Sequence, residues 1–118
     1  MSFRNLYFLG FIISNIFGYS VTFQLYVCDE NLNQDVFLQI WDPPQNSIQM
    51  DLKDGESNLY IVEIQELDNG SSLSGDILYN FKIGEEFETS GNRSESISSD
   101  STLEVQYYNN IECTINNL

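Results

Sequence analysis

The chain has 118 residues, 18 Asp+Glu against 4 Lys+Arg, a net charge of −14 and no histidine. A field this negative repels phosphate backbones and anionic lipid surfaces, which excludes charge-driven binding to nucleic acid. Without histidine there is no Ser-His or Cys-His pairing for nucleophilic catalysis.

In chain order, Arg4 precedes an apolar run from Leu6 to Phe17, and Gly18-Tyr19-Ser20 then places small residues at the −3 and −1 positions of a cleavage site. Residues 1–20 are therefore expected to be a signal peptide, cleaved after Ser20. As a membrane anchor the run is too short, since twelve helical residues span only about 18 Å of a roughly 30 Å hydrocarbon core. The remaining residues 21–118 suffice for one domain and not two. That domain is expected to be secreted and extracellular, with no stable membrane insertion.

Period-two alternation dominates the rest, and no sustained 3.6 spacing occurs. Val21, Phe23, Leu25 and Val27 share one strand face, with Thr22, Gln24 and Tyr26 on the other. Val36, Leu38 and Ile40 alternate with Phe37, Gln39 and Trp41, so the second strand is apolar on both faces and expected to be central. Pro43-Pro44 ends it, because proline cannot donate to a ladder. Ile48, Met50 and Leu52 make a shorter strand, stopped by Asp54-Gly55, and residues 59–67 a longer one. Asp68-Asn69-Gly70 is a hairpin-style turn signal. Ile77, Tyr79, Phe81 and Ile83 follow, then a short strand at Phe87 and a last one over residues 103–108. Residues 91–101, rich in Ser and Asn, have too little apolar content for a strand and are expected to be a mobile surface loop. About seven short strands at roughly ten-residue intervals argue for an all-β, small antiparallel β-sandwich.

Cys28 and Cys113 lie near opposite ends of residues 21–118, and an oxidising compartment favours joining them. Two free thiols and intermolecular pairing are the alternatives. Asn69-Gly70-Ser71 and Asn92-Arg93-Ser94 are N-glycosylation sequons in turn-like surroundings. The acids of Asp51-Leu52-Lys53-Asp54-Gly55-Glu56 are interrupted by Lys53 and lack EF-hand ligand spacing, so no metal site is expected there. No phosphate loop or zinc pattern occurs, and no cofactor is expected. Trp41, Tyr60, Tyr79 and Phe81 read as core side chains, or else as the lining of a pocket between sheets. Tyr107-Tyr108 points consecutive aromatics to opposite faces, which exposes one of them. Tyr107, Tyr108 and Trp41 are accordingly the candidate binding residues.

Two blocks of sequence carry a further signal. Cys28 is followed after seven residues by Val36, Leu38, Ile40, Trp41 and Asp42; later come Phe87, Ser90-Gly91, Glu95, Asp100, Leu103 and Val105. In order and spacing these resemble the nematode transthyretin-like family, whose members are small secreted β-sandwiches. The chain resembles a divergent member with an inserted middle segment and a shortened C-terminus. No Gly precedes the first Cys, and Tyr107-Tyr108-Asn109 stands where the family has His-x-Cys. Cys113 is set against a later family cysteine. The resemblance implies a transthyretin-like or immunoglobulin-like sandwich. It further implies a non-enzymatic extracellular binding or signalling module, with an extracellular protein or cell-surface ligand as partner. At least one family member bridges such a ligand and a receptor. Transthyretin-related hydrolases of 5-hydroxyisourate rely on His and Arg, so the resemblance carries no enzymatic activity here. The competing expectations are a carrier of a small hydrophobic ligand in an inter-sheet cavity and an acidic extracellular structural protein.

Overall fold

A computed structural model describes residues 19–29 and 33–113. The expected signal peptide lies outside these residues except for Tyr19 and Ser20. Among the described residues ten strands follow one another: β1 (Val21–Tyr26), β2 (Val36–Asp42), β3 (Ile48–Gln49), β4 (Asp51–Leu52), β5 (Leu59–Ile64), β6 (Gly75–Ile83), β7 (Glu86–Phe87), β8 (Arg93–Ile97), β9 (Ser101–Thr102) and β10 (Gln106–Tyr107). They form two sheets packed as an all-β sandwich. The first sheet runs β10-β1-β5-β4, with β9 also on β1; the second runs β3-β2-β6-β7, with β8 also on β6. All pairings are antiparallel except those of β9 and β10, which run parallel to β1.

The alternation read along β1 and β2 is the alternation of burial. Val21, Phe23 and Leu25 from β1, Val36, Leu38 and Ile40 from β2, and Ile77, Tyr79, Phe81 and Ile83 from β6 enter one hydrophobic core. Each such side chain contributes about 1.5–3 kcal/mol by leaving water. Phe23 meets Tyr79 edge-on, at 5.1 Å between ring centroids and 71° between planes. β2 is central as expected, between β3 and β6, but only its inward side is fully covered; Trp41 on the outward side is exposed.

Several connections differ from the expected ones. The Ile48–Leu52 segment is not one strand but two in different sheets. It turns at buried Met50, whose N–H donates to Val36 O over 2.8 Å. The Asp68-Asn69-Gly70 turn closes as expected, with Gly70 N–H on Leu67 O at 2.9 Å and Gly70 at φ +87°. It does not form a hairpin, because β5 and β6 belong to opposite sheets. The Ser/Asn-rich residues 91–101 are not a loop throughout, since β8 pairs with β6 from Gly75↔Ile97 to Tyr79↔Arg93. An edge strand needs only one face buried, and Ile97 and Arg93 supply that face without a run of apolar residues. Residues 103–108 do not form one strand either. Leu103 N–H reaches Thr22 O at 2.9 Å, and the Gln24 side-chain amide donates to Leu103 O at 2.8 Å, spanning the break between β9 and β10.

Cys28, just after β1, is joined to Cys113, with 5.5 Å between Cα atoms across 85 residues of sequence. At the other end of β1, Tyr19 pairs with Leu73, and Ser20 N–H donates to Asp100 Oδ1 over 2.9 Å.

Candidate functional site

Two features of the second sheet stand apart from ordinary core packing. One is a buried polar knot on its β7–β8 side, and the other an exposed aromatic face.

The knot centres on Glu88 and Arg93, which flank the Ser90-Gly91 turn. Glu88 is only 6% exposed. Arg93 grips it through the Nε–Nη2 side of its guanidinium, Nε to Oε2 at 3.0 Å and Nη2 to Oε1 at 2.5 Å. The remaining carboxylate capacity is met by two backbone donors, Phe81 N–H at 3.0 Å and Asn109 N–H at 2.8 Å. The remaining guanidinium donors reach Gln106 Oε1 at 2.6 Å, Asn110 Oδ1 at 2.8 Å and Tyr107 O at 2.8 Å. The guanidinium carbon lies 5.3 Å from the Phe81 ring centroid. A buried charge pair is tolerated only when its remaining hydrogen-bonding capacity is met, and here it is. Asn109 and Asn110 adopt left-handed backbone (φ 59° and 58°), a conformation asparagine tolerates better than most residues. The knot therefore ties the β7–β8 segment of one sheet to β10 of the other.

This tie settles where the tyrosines go. Tyr107, paired with Tyr26 on β1, rests against that residue's ring at 5.7 Å. Tyr108 packs partly against the core, and its hydroxyl donates to Glu86 O at 2.5 Å. Burial, with Glu88 and Glu86 nearby, raises the Tyr108 pKa above its ordinary value. Both side chains are half-buried, so the pair does not present a freely exposed ring on either side.

Trp41 is different. It is 44% exposed, on the outward side of β2. Register shifts between Ile40 and Asp42, so that Ile40 pairs with Tyr79 and Asp42 with Leu78, leaving Trp41 as the extra residue of a β-bulge. A bulge breaks strict alternation, and here it exposes Trp41 and Asp42 in succession. The indole N–H donates to Asn80 Oδ1 at 2.9 Å, which orients the ring. The ring lies 5.5 Å from that of Phe87, itself 38% exposed.

Cross-strand pairing extends the face in rows. Phe37, Lys82 and Phe87 sit opposite one another on β2, β6 and β7. The Lys82 ammonium lies 4.7 Å from the Phe37 centroid and 5.4 Å from that of Phe87, so the rings flank the charge and use its stem as apolar surface. Gln39 pairs with Asn80 in the next row, held under the returning chain by Ser47 Oγ at 2.6 Å. Asp42 and Leu78 form a third row, with Leu78 39% exposed. Beyond it opens a groove of about 480 Å³ lined by Asp42, Asp76, Leu78, Ser94, Glu95 and Ser96, with Ile77 at its base.

Sequence reasoning singled out Trp41 and missed Phe37, Leu78, Lys82 and Phe87 as its neighbours. The signal was present in β6, where Leu78 and Lys82 alternate against the buried Ile77, Tyr79, Phe81 and Ile83. What could not be read was which strands lie side by side. Trp41 and the Tyr107-Tyr108 pair belong to different sheets and do not form one surface.

The two sequon asparagines, Asn69 and Asn92, are both exposed. Asn69 Oδ1 accepts from Ser71 N–H at 3.0 Å, a tight local turn. Among the described residues no group of three His, Cys, Asp or Glu side chains converges as a metal site, and the acids around Asp54 remain dispersed. No protein-family model matches the chain, and no curated protein matches it.

Proposed function

We propose that this chain is a secreted, non-enzymatic binding module that makes contact through the outer face of β2, β6 and β7. The observation carrying this reading is the cluster of Trp41, Phe87, Leu78 and Phe37 on one sheet face, with three of the four at least 38% exposed. Large aromatic side chains held rigidly at a surface supply contact area at small entropic cost, the usual composition of a recognition patch. The absence of histidine and the engagement of both cysteines in one disulfide favour binding over catalysis. The disulfide is compatible with an extracellular setting. The likeness of the two sequence blocks to nematode transthyretin-like proteins points the same way, toward a partner that is an extracellular protein or cell-surface ligand, and toward a bridging role.

A carrier function finds less support. The space between the sheets is occupied by Phe23, Tyr79, Phe81, Leu38 and Ile40, all essentially inaccessible to solvent. A bound hydrophobic molecule would have to displace several of them.

The test is binding of labelled protein, recovered from a secreting culture, to intact cells and extracellular material. Replacing Trp41 and Phe87 by Ser should abolish binding while leaving the melting temperature within a few degrees. Equal binding by the double variant would overturn the assignment of the face. A hydrophobic molecule retained in native mass spectra would favour the carrier instead.

A further inference from the structure

We propose that the partner which docks on this face is a basic, extended protein segment, with apolar residues set between its cationic ones. The inference rests on the contact-face reading and supplies the chemistry of the occupant.

Charge complementarity carries it. At the Leu78 end, the aromatic face runs directly into the groove, which is bordered by the carboxylates of Asp42 and Asp76 on that same outward side. Neither forms an ion pair, and the one salt bridge among the described residues is Arg93–Glu88. Among the described residues, no cation reaches these acids. Arg93 is buried in its knot, Lys82 lies between Phe37 and Phe87, and Lys53 follows β4 in the other sheet. An apolar face flanked by unpaired carboxylates suits a partner whose aliphatic and aromatic groups cover Trp41 and Leu78. Its ammonium or guanidinium groups would then reach Asp42 and Asp76.

The geometry of β8 adds the extended conformation. Ser94, Glu95 and Ser96 of the groove belong to β8, which pairs with β6 and with no other described strand. Its outer edge, beside the groove and away from β6, therefore presents backbone donors and acceptors, the arrangement that accepts an added strand. In an added strand, every second side chain turns to the outward face that Leu78 and Asp76 share.

The chain carries its own reporter, because Trp41 is its single tryptophan and lies in the face. The probe is a ten-residue peptide of alternating Arg and Leu, titrated into the full chain while Trp41 emission is followed, with an alternating Glu and Leu peptide alongside. The Arg-Leu peptide should shift the emission with saturation, and binding should weaken as salt rises. The Glu-Leu peptide should leave it unchanged. Asp42→Asn with Asp76→Asn should weaken binding by roughly tenfold or more, as expected for loss of close complementary charge. Asp51→Asn with Asp54→Asn, removing equal charge elsewhere, should weaken it less than about threefold, in keeping with screening of distant charges.

If both peptides bind alike and without salt dependence, the contact face stands and the basic partner is refuted. If the two double variants behave alike, the overall field rather than the groove is responsible, and the inference fails. If neither peptide perturbs Trp41, the inference and the contact face fail together. A Trp41 shift that follows protein concentration alone, with a dimer in sedimentation, would identify a second copy as the occupant and also refute it.

Discussion

Replacing Arg93 by Met is the sharpest test of what holds this fold together. The substitution keeps most of the aliphatic stem against Phe81 and removes the guanidinium, stranding the Glu88 carboxylate in a site that is 6% exposed. Two backbone donors remain for that carboxylate, at 2.8 and 3.0 Å, but no compensating charge. Breaking one partner of a buried pair costs roughly 3–5 kcal/mol. The acceptors on Asn110 and Gln106 lie near solvent and rehydrate, so they add little. Against a total stability of about 5–15 kcal/mol, the loss is a large fraction of the whole. For a domain of this size it corresponds to a fall in melting temperature on the order of 15–30 °C. Denaturant unfolding followed by Trp41 emission measures it. A double-mutant cycle with Glu88→Gln should give a coupling of at least about 2 kcal/mol, since the two charges share one network. Arg93→Lys should recover little, because an ammonium cannot reproduce the two-pronged grip or the contacts to Gln106 and Tyr107 O. A loss below about 1 kcal/mol, or strict additivity in the cycle, would refute the claim that the knot joins the sheets.

Three further outcomes follow from the structure. Replacing Cys28 and Cys113 by Ser should lower stability by about 4–5 kcal/mol in the chain-entropy account of a loop this long; thiol alkylation of the unreduced wild type should find no free cysteine. Tyr79 is buried and its pKa is raised to about 12, chiefly by desolvation, with Glu95 adding and Arg93 opposing. An unfolded tyrosine releases its proton near pH 10, so this contribution is fully present below pH 10 and is lost as pH rises from there to about 12, worth roughly 2–3 kcal/mol. Tyr79→Phe should abolish that alkaline loss and be neutral or slightly stabilising at pH 7, because the hydroxyl makes no hydrogen bond among the described residues. Destabilisation beyond about 1 kcal/mol at pH 7 would contradict it. Finally, hydrogen exchange should find protected amides within residues 93–97, at odds with a loop and in keeping with β8.

The fold class was legible because burial in this molecule follows period two closely. Val21, Phe23 and Leu25 and their partners on β2 and β6 could be assigned to the core from spacing alone. Local chemistry also gave the Asp68–Gly70 turn and the stop after β2. Partner choice was not legible. Nothing local distinguishes a turn that joins neighbouring strands from one that carries the chain to the other sheet, so the hairpin expectation failed at Asp68. The β8 segment was obscured because its inward positions are Arg93, Glu95 and Ile97 rather than an apolar series, and Arg93 is buried only because Glu88 meets it across a turn. The same limit governs the candidate site. Trp41 was visible as an aromatic on a central strand, but its exposure depends on a bulge at Ile40–Asp42, and its companions come from β6 and β7. Tyr107 and Tyr108 were drawn inward by Tyr26 and by the Glu86 carbonyl, contacts separated widely in sequence.

The central functional claim, that the outer face of β2, β6 and β7 makes the contact, is tested most directly by placing a photo-crosslinking residue at position 87 in one sample and at position 107 in another. Each is then irradiated on cell surfaces or extracellular material to which the labelled protein binds. A specific crosslinked product is expected from position 87, lost on competition with unlabelled chain, and none from position 107. Crosslinking from position 107 with none from position 87 would contradict it.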